Sequence, residues 1–165
     1  MATGKLKYVF MDYPLESLHK FAFKAAEAAR CGGEQGKYWE MHDRLFANQT
    51  TLEPWTPHAE AVGLNVPRFE ACMNSGKYAE AVRADMAEAQ KAGVTGTPLF
   101  FLAVTDPTSS KVKTVNRISG AQPYAAFKSQ IDALLEEQAK TAGFAANKPE
   151  PSATPGKVQT PKKPQ

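Results

Sequence analysis

The sequence predicts a mixed α/β fold, and three observations indicate it. A short apolar run lies near the start of the chain and ends at a proline. A long middle region repeats apolar residues at helical spacing, and two late apolar segments flank a turn before a final helical pattern. With 165 residues, the chain has the size of one domain and is long enough to bury a core.

The first predicted element is a strand over residues 5–13. Its body is a run of consecutive apolar side chains: Tyr8, Val9, Phe10 and Met11. Pro14 follows this run and is expected to end the strand.

A helical region follows over residues of about 16–92. Apolar spacing, glycines and N-terminal prolines predict five helices, over 16–30, 37–48, 57–62, 67–75 and 77–92. The apolar faces of the first two helices are expected to be buried, and they include Leu18 and Phe46.

The last predicted elements are a β-hairpin and a helix. Strands are expected over 99–104 and 112–118, joined by a turn at 106–110 that contains Asp106 and Pro107. A helix over 123–142 follows, with Tyr124 in its buried stripe. The predicted domain is 1–146, with the helical region as an insertion.

Composition narrows the function classes. Hydrophobic residues make up 42% and charged residues 22% of the chain, as in soluble globular proteins, and no apolar stretch is long enough for a membrane span. The net charge of +3 arises in the tail over 147–165, from four lysines against Glu150: Lys148, Lys157, Lys162 and Lys163. We therefore expect no nucleic-acid partner. The Pro/Lys-rich tail is predicted to be disordered.

Residues 93–101, GVTGTPLFF, have a specific structural interpretation. Gly93 ends a helix, a flexible turn follows, and the Thr97–Pro98 pair opens an apolar strand, where a proline breaks no ladder bond. The local sequence alone leaves the Thr97–Pro98 bond open between cis and trans.

Four segments carry a resemblance to a known family. They are VFMDYPL at 9–15, AAEAARC at 25–31, QGKYWEMHDRLF at 35–46 and VTGTPLFF at 94–101. In order and spacing they resemble the DsbA-like branch of the thioredoxin superfamily, the disulfide oxidoreductases of bacterial cell envelopes. The resemblance covers residues of about 6–135 and implies a thioredoxin-like fold with a helical insertion.

The same resemblance implies a substrate site at Thr97 and Pro98. In the family, the Thr-Pro bond is cis and the residues before the proline bind the substrate peptide. The implied partners are cysteine-containing or unfolded proteins, and the reaction needs no organic cofactor. The family is typically periplasmic or extracytoplasmic, whereas the N-terminus here has no signal-peptide pattern, so the localisation stays open.

The cysteines depart from the family pattern. In the family, a strand ending in Cys-x-x-Cys precedes the strand that residues 6–10 resemble. Cys31 and Cys72 form no such motif, and disulfide exchange requires an activated thiolate with a resolving cysteine. We therefore expect no catalytic residue and an N-terminally incomplete fold. Unpaired strand edges then predict lower stability or a homo-oligomer.

Three interpretations of Cys31 and Cys72 compete. They are two buried structural thiols, a structural disulfide formed in an oxidising compartment, or an alternative redox pair. The histidines offer no alternative chemistry, because His19, His42 and His58 fall on separate predicted helices without metal-ligand spacing.

The leading functional hypothesis is a DsbA-like thiol–disulfide oxidoreductase family protein that is inactive in this 165-residue form. The alternative is a non-catalytic peptide-binding module that uses the cis-proline groove. A third hypothesis is a truncated product without independent activity.

Overall fold

The computed structural model of the protein describes residues 4–105 and 112–146, with side chains to residue 140. The chain divides into two compact units, 1–121 and 122–165. The first unit holds five helices and a β-hairpin, and the second contains one helix. The predicted turn at 106–110 and the predicted disordered tail lie outside the described residues, and the 1–146 domain boundary stays a prediction.

Five helices form the helical region of the first unit. They are α1 (Ala22–Gly33), α2 (Tyr38–Ala47), α3 (Thr56–Ala61), α4 (Val66–Ser75) and α5 (Ala79–Lys91). The fourth shows why this sequence forms short helices: the Asn65 side chain accepts a 3.0 Å hydrogen bond from the Arg68 N–H, and Gly76 ends the helix in the left-handed conformation. The predicted mixed α/β fold with a helical insertion is confirmed.

The core lies among the first four helices. α1 packs against α2, α4 and α5, while α3 packs against α2 and α4. Gly32 permits the close approach of α1 to α2, because a Cβ atom there would lie 3.0 Å from the Met41 Cβ. The buried side chains are mostly small or flexible: Ala28, Ala29, Cys31, Met41, Leu45, Ala59, Leu64, Phe69, Cys72 and Met73.

The hairpin consists of β1 (Leu99–Thr105) and β2 (Val112–Ser119). The strands are antiparallel, Leu99 pairs with Ser119, and a register shift between Leu102 and Ala103 marks a β-bulge. Both strands were predicted within one residue of their observed bounds.

The predicted strand over 5–13 is wrong. This segment has no regular secondary structure, and the described sheet contains only β1 and β2. An apolar run becomes a strand only when another strand completes its hydrogen bonds, and the described residues provide none. The segment leaves four apolar side chains exposed: Leu6, Tyr8, Val9 and Met11. The expected homo-oligomer stays a prediction.

Three side chains that were expected in buried stripes are exposed. Leu18 lies in turns that precede α1, because the helix begins at Ala22 rather than at residue 16. Phe46 lies in the last turn of α2, where the centre of its ring is 4.6 Å from that of His42 and the side chain stays 57% exposed. Tyr124 begins α6 (Tyr124–Ala146), the helix of the second unit.

Within the described residues, no helix has the length and apolar character that a membrane crossing requires.

Candidate peptide-binding loop

The loop that contains Thr97 and Pro98 begins at a fixed end of α5. Gly93 closes the helix with a φ of +75°, a conformation that glycine adopts without strain. The next residue, Val94, is buried, and its N–H donates to the Ala89 carbonyl at 2.9 Å. The Tyr13 hydroxyl donates to the Val94 carbonyl at 3.1 Å. Both backbone groups of Val94 are therefore held in place.

The other end of the loop is fixed by the hairpin. The Gly120 N–H donates to the Pro98 carbonyl at 2.9 Å, and β1 begins one residue later. The Thr97–Pro98 peptide bond is cis. Thr97 and Pro98 are both exposed, so the two predicted substrate-site residues lie at the surface of the first unit.

Between these fixed ends, the backbone is open. Within the described part of the chain, no hydrogen bond is formed by the backbone groups of Thr95, Gly96 or Thr97. Exposed backbone N–H and C=O groups can pair with an added strand. The geometry therefore offers main-chain donors and acceptors at the position where the sequence predicts a substrate site.

A cavity of about 190 Å³ lies beside these open peptide groups. Its lining combines small residues, a proline and one cation: Thr95, Gly96, Thr97, Pro98, Leu99, Arg117, Ser119 and Gly120. Arg117 reaches it from β2, and its Nη2 donates to the Gly93 carbonyl at 3.2 Å. The cavity thus provides backbone groups, a small apolar surface and a guanidinium.

A larger groove of about 550 Å³ lies elsewhere in the helical region. It is lined by Glu53, Pro54, Trp55, Thr56, Phe69, Glu70, Met73 and Asn74. None of the sequence-predicted site residues lines this groove. Its larger size is therefore not a reason to place the candidate site there. We therefore place the candidate site at the smaller cavity, where open backbone groups and the predicted residues coincide.

An ion-pair network lies next to Tyr13, the residue that holds the Val94 carbonyl at the base of the loop. The Arg30 guanidinium bridges two carboxylates: its Nε donates to Asp12 Oδ2 and its Nη2 donates to Asp85 Oδ2, each at 2.6 Å. The Asp12 N–H also donates to Asp85 Oδ2 at 3.0 Å. Asp12 precedes Tyr13, and Asp85 lies on the helix that leads into the loop. The network therefore joins α1, α5 and the segment that holds Val94.

Burial and ion pairing both shift the pKa values of this network. Desolvation raises the pKa of Asp12 above its ordinary value, even though the hydrogen bond from Arg30 acts in the opposite direction. Desolvation lowers the pKa of Arg30, but the hydrogen bond and charge of Asp12 outweigh it, so the pKa of Arg30 is raised. The pKa of the neighbouring Tyr38 is also raised, first by burial and then by the charge of Asp12. Arg30 therefore stays charged and Tyr38 stays neutral at physiological pH.

Cys31 and Cys72 are joined in a disulfide between α1 and α4. Their Cα atoms are 5.9 Å apart, and the two residues are 1% and 6% exposed. The Glu34 carboxylate lies 3.4 Å from the Cys72 Sγ, a contact without a hydrogen bond because a disulfide sulfur carries no proton. Disulfide exchange requires an attacking thiolate to reach a sulfur atom, so this buried bond suits a structural role better than a redox role.

Several residues of this region were missed by the sequence analysis. Tyr13 lies 81 positions from Val94, and Arg30 lies 18 and 55 positions from its two carboxylates. No local spacing reveals such pairs. The one usable signal was Asp12, a charged residue between apolar neighbours near the start of the chain.

Among the described residues, no three histidine, cysteine or acidic side chains lie together as metal ligands.

The chain belongs to the thioredoxin family. The family described as Thioredoxin matches residues 1–133, which include all five helices of the helical region and the hairpin. This family membership supports a generic thiol–disulfide oxidoreductase-like role.

Part of the chain is also similar to larger proteins that carry a transporter name. It is 38% identical over 99 residues to Na(+)/H(+) antiporter NhaA 1 of Salinispora arenicola (strain CNS-205), a match that covers 59% of this chain and 15% of the antiporter. It is 36% identical over 102 residues to Na(+)/H(+) antiporter NhaA 1 of Mycobacterium sp. (strain KMS), covering 59% of this chain and 16% of that protein. The chain thus matches about one sixth of the length of these curated relatives.

Proposed function

We propose that this chain is a DsbA-like member of the thioredoxin family that binds extended, cysteine-containing or unfolded polypeptides at residues 95–98. We further propose that its 165 residues do not catalyse thiol–disulfide exchange by themselves. In this proposal, the chain acts as a peptide-binding module that keeps the substrate-binding loop of its family without catalysing the exchange reaction.

One observation carries the binding proposal: the open backbone of Thr95, Gly96 and Thr97, held between the fixed groups of Val94 and Pro98. Strand addition derives affinity from main-chain hydrogen bonds, and it is most favourable when the receiving backbone is already held in position. The resemblance of residues 94–101 to the DsbA-like loop supports the same site.

The proposed lack of catalysis follows from the number of accessible sulfur atoms. A turnover needs two sulfur atoms that alternate between dithiol and disulfide while remaining accessible to the substrate. The two cysteines of this sequence are Cys31 and Cys72. Both form the buried disulfide between α1 and α4, and neither lines the cavity beside the loop.

The antiporter names are not carried over to this chain. The matches cover 15% and 16% of those proteins, so Na(+)/H(+) exchange is not proposed here. The cis-proline groove, the DsbA-like assignment and the identity of the bound polypeptides rest on the loop geometry and on the sequence resemblance.

Fluorescence anisotropy tests the binding proposal. A labelled, extended, neutral peptide with serine in place of cysteine is titrated with the chain, so that no disulfide can form. Thr97→Arg places a long side chain on the open backbone and is expected to weaken binding at least tenfold. Thr114→Arg is the matched control, because Thr114 is exposed on β2 and pairs with Ala103, well beyond the cavity. Equal binding by both variants and the unmodified chain would exclude the 95–98 loop.

A further inference from the structure

Arg117 is the one charged residue that lines the cavity beside the loop. It lies on β2 opposite Phe101, and its guanidinium is 6.0 Å from the centre of that ring. Its Nη2 hydrogen bond to the Gly93 carbonyl fixes the guanidinium at the base of the loop. A held guanidinium loses less conformational freedom on binding than one on a mobile side chain.

The charge of Arg117 is not neutralised in the described part of the chain. Its guanidinium donates one hydrogen bond to the Gly93 carbonyl, and none of the ion pairs among the described residues involves Arg117. A guanidinium has five N–H donors, so most of its donors stay available to a ligand. No aspartate or glutamate lines the cavity.

We propose that Arg117 selects acidic polypeptides, by pairing with an Asp or Glu side chain of a peptide bound at residues 95–98. The inference rests on the proposed function, because it concerns the specificity of the same site. The open backbone of the loop would hold the peptide main chain. Arg117 would then receive one carboxylate, an interaction that arginine makes through two parallel hydrogen bonds.

The exposure of Arg117 limits the strength that we expect of this preference. Arg117 is exposed, so water and salt screen the pair, and exposed ion pairs are weak. The guanidinium is nevertheless oriented in advance, and a charge-assisted bidentate pair is stronger than a neutral one. We expect an acidic peptide to bind about threefold to tenfold more tightly than its neutral counterpart at low salt.

The test compares two labelled peptides by fluorescence anisotropy. They have the same extended neutral sequence with a central serine, except that glutamates flank the serine in one and glutamines in the other. With the unmodified chain, the glutamate peptide should bind more tightly in 50 mM NaCl, and the difference should shrink in 500 mM NaCl.

Variants assign the preference to Arg117. Arg117→Gln should bring the two affinities within about twofold of each other. Arg117→Lys keeps the charge without the planar fork, so it should retain part of the preference. Lys113→Gln is the matched control, because it removes the same charge from an exposed position four residues away on β2. It should leave the preference unchanged. Circular dichroism verifies that each variant is folded.

The possible outcomes separate this inference from the proposed function. If both peptides bind with equal affinity to the unmodified chain, the acidic preference is excluded while peptide binding stands. If Lys113→Gln abolishes the preference as fully as Arg117→Gln, the preference is a general charge effect and the role of Arg117 is excluded. If neither peptide binds, the proposed function fails and the inference fails with it.

Discussion

The Tyr13 hydroxyl donates a 3.1 Å hydrogen bond to the Val94 carbonyl, across 81 positions of sequence. Tyr13 is the last residue of the 5–13 segment, which lacks a strand partner, and Val94 precedes the candidate peptide-binding loop. This bond therefore gives the N-terminal segment a role in the site although it contributes no lining residue to the cavity. The neighbouring Asp12 strengthens the same connection through Arg30 and Asp85.

Tyr13→Phe removes this hydroxyl and leaves the Val94 carbonyl without its donor. We expect the free energy of unfolding to fall by about 1 kcal/mol, the net value of one such hydrogen bond. Amide hydrogen exchange at Val94, whose N–H donates to the Ala89 carbonyl, should become faster, because the base of the loop is less restrained. Tyr8→Phe, the same chemical change at an exposed tyrosine, should alter neither quantity. Equal exchange rates in both variants would contradict the anchoring role of Tyr13.

Arg30→Met should destabilise the chain more than Asp12→Asn. The methionine leaves two carboxylates close together without their shared cation. Removing one member of a buried ion pair costs about 3–5 kcal/mol, and we expect about 3 kcal/mol because Arg30 and Asp85 are each 24% exposed. The asparagine keeps an acceptor for Arg30 and avoids the desolvation of a charge, so it should cost less than about 1 kcal/mol. Urea unfolding at pH 7 measures both values, and a reversed order would contradict this account.

The raised pKa of Asp12 predicts the sign of a pH effect. Folding favours the protonated carboxyl, so its contribution to stability is complete below the unfolded pKa of about 3.9 and is lost as pH rises through the raised folded value. Asp12→Asn cannot titrate at this position. The stability of the unmodified chain relative to Asp12→Asn should therefore fall as pH rises from about 4 and then become constant. Glu80→Gln, at an exposed position on α5, should show no such trend. A rising difference would show that ion pairing, rather than desolvation, controls Asp12.

Loss of the disulfide should destabilise the chain strongly. The bond links residues that are 41 positions apart, and closing a loop of that length stabilises by about 3–4 kcal/mol in the chain-entropy model. The double variant Cys31→Ala/Cys72→Ala should lose about that amount in urea unfolding. A reducing agent should lower the stability of the unmodified chain and leave the double variant unaffected. If the agent affects both proteins equally, the bond is not the origin of the stability.

The helices and the hairpin could be predicted because their signals are local. Apolar spacing, Pro67 near a helix start and Gly76 after a helix end placed α4 nearly where the structure has it. The strand over 5–13 could not be judged in the same way. Its apolar residues satisfy the pattern of a strand, but a strand also requires a partner, and local pattern says nothing about partners.

The residues of the candidate site were predictable under the same condition, that their signal is local in sequence. Thr97 and Pro98 were predicted because a contiguous motif carries them. Tyr13 and Arg117 were not, since each reaches the loop through the tertiary fold. Cys31 and Cys72 were recognised as a pair that could be bridged, but their proximity depends on how α1 packs against α4, which sequence spacing does not determine.

The most direct test of the central claim is to map the bound peptide on the chain by NMR. The isotopically labelled 165-residue chain is titrated with the neutral, serine-containing peptide, and backbone amide shifts are followed. We predict the largest shifts at the open amides of Thr95, Gly96 and Thr97, with smaller ones at Ser119 and Gly120. Shifts confined to the larger groove around Trp55 and Phe69, or no shifts at millimolar peptide, would contradict the claim that residues 95–98 bind extended polypeptide.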